Sequence, residues 1–192
     1  MDFQELICTK RTFRRFLQKP VDDKIVEEML NAARLAASAA NLQPLRYAVV
    51  KSPEMAEKIF PLTRWAGYLA PEDGYPKEGE RPVLYVLVLC DSRAGQKWHE
   101  VDAGLALGNM TLSAWAHGVG SCIIASVDRE KAAALLNLPP ELSIYMAAAF
   151  GYPAHRSSCT DMERDGGVKY TLDENRDYVV PKRKLSDMVL WY

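Results

Sequence analysis

Apolar positions recur along the chain in two rhythms. Between Asp22 and Ala37, the residues Ile25, Val26, Met29, Leu30 and Ala33 fall three and four apart, the spacing of one helix face. Asp22 stands ahead of that stripe as an N-cap, and Val21 and Val26 are placed to pack across the first turn. The pattern stops near Ala37, where small residues precede Asn41 and Pro44. Phe3, Leu6 and Ile7 mark a shorter helix over 2–9, Pro53 to Phe60 another, and Asp128 caps one that runs to Leu136. The second rhythm is the short, nearly unbroken apolar run: Tyr47–Val50, Val83–Cys90, Ser121–Ala125 and Ile144–Phe150 read as strands. Tyr47–Val50 is expected to be buried, and Val83–Cys90 to be central and covered on both faces. His99 to His117 has helical length, no proline and apolar residues on most sides, so something must cover it. Gly104 and Gly108 lie one turn apart on it and leave room for another backbone, and a partner subunit is one candidate cover.

Helices outnumber strands, and the order lacks a clean strand–helix alternation. That pattern predicts an α+β fold, a single central sheet wrapped by helices, rather than a doubly wound sheet. Gly118-Val119-Gly120 precedes a strand instead of opening a helix, so it is not a dinucleotide fingerprint. Residues 61–82 break the regularity with four prolines and three glycines, and carry Trp65, Tyr68 and Tyr75. A loop of that length is either functional or disordered. It reads equally as a lid or pocket wall, with Trp65 and Tyr68 facing a substrate, and as a segment pinned to the core by its aromatics. Residues 154–177 are polar and irregular, and a C-terminal arm over 178–192 carries Lys182-Arg183-Lys184. With no repeat and no linker, residues 1–192 are expected to form one domain.

The overall charge of −1 gives no field that would favour nucleic acid or an anionic membrane, so the cations at 10–15 and 182–184 stand out locally. Cys8, Cys90, Cys122 and Cys159 form no C-x-x-C pair, and His99, His117 and His155 fall at no ligand spacing with them, which argues against a metal site. The first residues lack the features of a signal peptide, and no charge-free run reaches a membrane span, so a cytoplasmic location is expected.

The chemistry concentrates in two stretches. Lys10-Arg11-Thr12-Phe13-Arg14-Arg15 sets cations and a hydroxyl together with no acid, which suits a phosphate. Ser38-Ala39-Ala40-Asn41-Leu42-Gln43-Pro44 offers hydroxyl and amide groups suited to a flat polar ring. The first resembles the Arg-Arg-Ser-x-Arg opening of the nitroreductase-like flavoproteins, and the second their Ser-x-x-Asn-x-Gln-Pro frame. Gly118–Ser126, Gly151-Tyr152-Pro153 and the late cations are similar to three further motifs of that family, in the same order. Lysine at 10, threonine at 12 and Leu45 in place of a tryptophan are departures.

The resemblance implies bound FMN, with Lys10, Arg11 and Thr12 on its phosphate and ribityl chain and Arg14 at the pyrimidine edge. It implies the backbone of Ala125 or Ser126 near N5, and Lys182, Arg183 and Lys184 closing the phosphate site. Ser38, Asn41 and Gln43 would cover a flavin held mainly by a partner subunit, so a homodimer is implied. The implied activity is ping-pong hydride transfer from NAD(P)H through flavin N5 to a small electrophile such as a nitroaromatic or quinone. No side-chain nucleophile or base is assigned, because the cofactor carries such chemistry. The alternative is a flavin store or sensor, or a specialised dehalogenating or flavin-consuming member of the same fold.

Overall fold

A computed structural model describes residues 2–95 and 97–192. Its main sheet has four strands in the order β1-β2-β4-β3: β1 (Leu45–Val50), β2 (Leu84–Asp91), β3 (Gly120–Ile124) and β4 (Leu142–Gly151), all antiparallel neighbours. β2 is buried along its whole length, as its unbroken apolar run requires. Successive side chains of a strand point to opposite faces. Leu84, Val86 and Val88 therefore enter one apolar cluster, and Tyr85, Leu87 and Leu89 the other. The first cluster is closed by α2 (Asp23–Arg34) and α5 (His99–Ala116). The second is closed by α3 (Pro53–Ile59), α6 (Arg129–Leu135) and the segment around Phe13 and Phe16. The shorter α1 (Phe3–Thr9) rests on α5 through the Trp115 indole N–H, which donates to the Thr9 hydroxyl at 2.9 Å.

The sequence-predicted caps are present: the Asp22 carboxylate accepts from the Lys24 N–H, and Asp128 from that of Lys131. Other expectations need correction. α2 ends at Arg34, three residues before the predicted stop, because the chain turns away to build the 38–43 loop. β1 starts at Leu45 and is an edge strand with Val49 exposed, so it is only partly buried.

The single-sheet expectation also gives way. Residues 154–177 are not irregular throughout: β5 (Ser157–Met162) and β6 (Thr171–Leu172) join β7 (Tyr178–Arg183) in a second sheet of order β5-β7-β6. β5 pairs with β7 in parallel and β6 in antiparallel register. The polar composition concealed these strands because most of β5 and β6 faces solvent. The 61–82 loop contains α4 (Pro71–Gly74) and is pinned by the Arg64 N–H donating to Ser126 O at 2.9 Å. Among the described residues no helix is long and apolar enough to cross a membrane.

Candidate functional site

The segment 10–17 has no helix or strand of its own length, yet it is firmly placed. Thr12 bridges Ser121 in parallel register, and the Phe13 N–H donates to Ser121 O at 2.9 Å. Further along, the Leu17 N–H donates to Tyr152 O and the Ala154 N–H to Arg15 O. Gly120 and Gly151 face each other across β3 and β4, and both lie under this segment. A Cβ on Gly120 would meet the Phe13 ring at 2.7 Å, and one on Gly151 would meet Phe16 at 3.0 Å. Two absent side chains thus make the slot into which the two phenylalanines drop. Alternation along the placed segment then turns Phe13 inward and leaves Thr12 and Arg14 on its other side.

Lys10, Arg11, Thr12 and Arg14 line a pocket of about 180 Å³ with Tyr170, Val180 and Lys182. Val180 and Lys182 arrive together because they share one face of β7. Four cations line the pocket and no carboxylate does. Burial foremost, then the charges of Lys182 and Arg11, hold the Lys10 ammonium below its usual pKa of 10.5. Among the described residues neither Lys10 nor Lys182 forms an ion pair. The Arg11 guanidinium donates to Lys10 O at 2.7 Å and to Cys159 Sγ at 2.9 Å. The Arg14 guanidinium lies between two rings, 4.4 Å from the Tyr170 centroid and 4.7 Å from that of Tyr178, and its Nη1 is buried without a protein partner. The Arg14 backbone N–H donates to His155 Nε2 at 2.9 Å, and His155 Nδ1 donates to Arg156 O at 2.6 Å. That tautomer is neutral; burial foremost, with Arg15 and Arg14 adding, lowers the His155 pKa to about 4.

The other predicted residues lie elsewhere. Ser38 and Gln43 line a second, larger pocket of about 410 Å³ between α2, β1 and α5. No residue lines both pockets. Ala40, Asn41 and Gln43 all have positive φ near 50°, a conformation that costs non-glycine residues energy and must be imposed by surroundings. Asp102 imposes it. Buried on α5, its carboxylate accepts from the Ser38 hydroxyl at 2.6 Å and from the Ala39 N–H at 3.0 Å, while Ser38 Oγ accepts from the Gln43 N–H at 2.9 Å. Asn41 is exposed and lines neither pocket. Ala125 and Ser126 are exposed just beyond β3.

Of the late cations only Lys182 reaches the pocket: Arg183 donates to Arg164 O, and Lys184 pairs with Glu163 at 3.2 Å. Trp65 is a core residue, not a pocket wall. It packs near Phe60, and its indole N–H donates to Thr63 Oγ1 at 2.9 Å. Tyr68 is exposed and packs against Tyr170, with tilted rings whose centroids are 5.1 Å apart. Asp102, His155, Tyr170 and Tyr178 escaped the sequence reading. Only Asp102 left a signal there, a carboxylate on the inward face of an otherwise apolar helix.

The profile of the nitroreductase family matches residues 7–73 and 80–152. The chain belongs to the nitroreductase family. An NADH dehydrogenase of Thermus thermophilus is 29% identical across 80% of this chain and 88% of its own length. A 5,6-dimethylbenzimidazole synthase of Rhodospirillum rubrum is 28% identical across 82% and 84%. Among solved structures, an FMN-dependent nitroreductase from Clostridium difficile superimposes with a TM-score of 0.64 at 21% identity, covering 80% of this chain and 89% of that one. The family match takes in the residues of the larger pocket and residues 10–14 of the cation pocket, while Tyr170, Val180 and Lys182 lie beyond it.

Proposed function

We propose that this protein is an NAD(P)H-dependent flavin oxidoreductase that holds the phosphate of FMN with Lys10, Arg11, Thr12 and Lys182, while Arg14 of the same pocket faces the pyrimidine edge of the ring system. The observation that carries the reading is the pocket's charge: four cations converge there without a carboxylate, and a buried arginine nitrogen has no protein partner. Burying uncompensated cations is costly, so such a pocket fits an anionic ligand. Bound FMN would supply the hydride chemistry between NAD(P)H and a small electrophile such as a quinone or nitroaromatic. The protein's part is to bind and orient. Arg11 and Lys10 hold phosphate oxygens, and Arg14 sets a positive charge where the reduced ring system gains negative charge.

The pocket of about 180 Å³ is smaller than the roughly 300–1,000 Å³ of a complete small-molecule site. It takes the phosphate end and leaves the ring system to be covered from elsewhere. In our reading a second copy of the chain does this with its Ser38–Gln43 loop, which explains why that loop is pre-shaped by Asp102 but sits away from the cations. Exposed Val101 and Leu105 on α5, flanking open Gly104 and Gly108, provide the face for such a homodimer. A cytoplasmic location accords with four free cysteines.

Purification without added flavin, followed by FMN titration and anaerobic addition of NADH and NADPH, tests the reading. A yellow protein that binds FMN far more tightly than riboflavin, bleaches with a reduced nicotinamide and turns over with a quinone is expected. FMN binding without bleaching or turnover would make the protein a flavin store or sensor, and no FMN binding would end the proposal.

A further inference from the structure

The Arg14 guanidinium is held in an unusual way. Arg14 is part-buried with its Nη1 covered, and an arginine so placed is normally fixed by a carboxylate, which anchors it and cancels its charge. Here the charges that share its pocket are Lys10, Arg11 and Lys182, all positive, and among the described residues no acid pairs with Arg14. Repulsion alone would drive so long a side chain out toward water. Two phenol rings prevent it, with the Tyr170 centroid 4.4 Å and the Tyr178 centroid 4.7 Å from the guanidinium carbon. Attraction to an aromatic face holds a cation without neutralising it. The inner ring is rigid: Tyr178 is buried on β7 and packs against His155 at 5.0 Å. The outer ring belongs to Tyr170, half-buried, touching Tyr178 at 5.8 Å and braced from outside by Tyr68 at 5.1 Å. The Tyr178 hydroxyl is buried without a partner, so the ring rather than the oxygen is the useful part.

We propose that Tyr170 and Tyr178 are positioning residues that clamp Arg14 between their rings and so keep its charge both fixed and available at the wall of the flavin pocket. The proposal rests on the FMN reading for its function but not for the clamp. Loop 61–82 enters the site through the same contact, since Tyr68 backs the outer ring.

The test uses the full chain with four variants: Tyr170→Phe, Tyr170→Leu, Tyr178→Phe and Arg14→Ala. Nitrogen-15 NMR of the Arg14 Nε–H reads the clamp without flavin. Wild type and both phenylalanine variants should give a slowly exchanging, ring-shifted signal that Tyr170→Leu loses. FMN titration and spectroelectrochemistry then read its consequence. Tyr170→Leu should bind FMN about fivefold more weakly, the usual scale of one cation–ring contact, and move the flavin midpoint potential to more negative values. The phenylalanine variants should restore both. Combined with Arg14→Ala, Tyr170→Leu should add nothing further, because the two changes remove one interaction. A mobile Arg14 in wild type, or effects of Tyr170→Leu and Arg14→Ala that simply add, would overturn the clamp. A wild type with a clamped Arg14 that binds no FMN would overturn the cofactor reading alone.

Discussion

Lys10 sits between two other cations, and its lowered pKa gives the pocket a pH dependence whose sign can be worked out. In the folded protein the neutral amine is favoured relative to the unfolded chain. Stability is therefore withheld while Lys10 is charged and regained as pH rises toward 10.5. A bound phosphate favours the charged form, so FMN affinity should fall as pH climbs through the lowered pKa. Lys10→Arg stays charged and should flatten that fall in titrations between about pH 7 and 10; parallel curves would remove Lys10 from the phosphate. Arg11 can present two parallel donors where Lys10 offers a point charge. Arg11→Ala should therefore lose more FMN affinity than Lys10→Ala, about 1.5–3 kcal/mol, while riboflavin binding separates the two variants little. At Asp102, alanine would strand the Ser38 hydroxyl and the Ala39 N–H. An unfolding free energy lower by about 1–3 kcal/mol, read as a lower urea midpoint at unchanged slope, is the expected result. The cations were legible in the sequence because like charges without acids are rare. Asp102 showed only as a carboxylate on a mostly apolar helix, since its hydrogen-bond partner 64 residues away leaves no local trace.

Elements were legible wherever burial imposed a period. β2 and α5 are long and apolar, and they stand within a residue of where the pattern put them. β5 and β6 expose most of their residues, so no alternation betrayed them, and residues 178–183 read as part of a C-terminal arm over 178–192 until their partners were present. The opening segment is an element of neither kind: it is held by rings over glycines. Gly120→Ala should push Phe13 out of its slot, lower thermal stability and weaken FMN binding together, because Thr12 and Arg14 move with it. Stability lost with FMN affinity retained would show that the segment's position is independent of the slot. His155 fastens the same segment through the Arg14 N–H and must stay neutral to accept that bond. Its pKa is lowered from 6.5 to about 4, so between those values the unfolded chain takes up a proton that the folded one refuses. Stability should drop as pH falls through that window. Urea unfolding at about pH 7 and pH 5 should show a larger loss for wild type than for His155→Gln.

At the scale of the whole molecule, the two pockets are separate within one chain, and the dimer proposal makes them halves of one site. Co-expression of Arg11→Glu with Asn41→Trp, each unable to hold flavin alone, should give mixed dimers with about one FMN per two chains. Absence of flavin in the mixture, or a monomer on sedimentation, would mean that each chain builds its own site. The sequence suggested this arrangement by resemblance and by the apolar stretch 99–117 with Gly104 and Gly108, which left open whether a partner or the chain's own core covers it. The cation pocket itself joins residues 10–14 to residue 182. A ribosome adding about 5–20 residues per second separates the synthesis of its two sides by roughly 10–30 s. During that interval the four-stranded sheet can assemble around β2, but the cation pocket still lacks the wall that β7 supplies. Full cofactor capture is thereby deferred until after the main sheet is made, and a nascent or truncated chain lacking Lys182 would present the cations of residues 10–14 with only one side of their pocket.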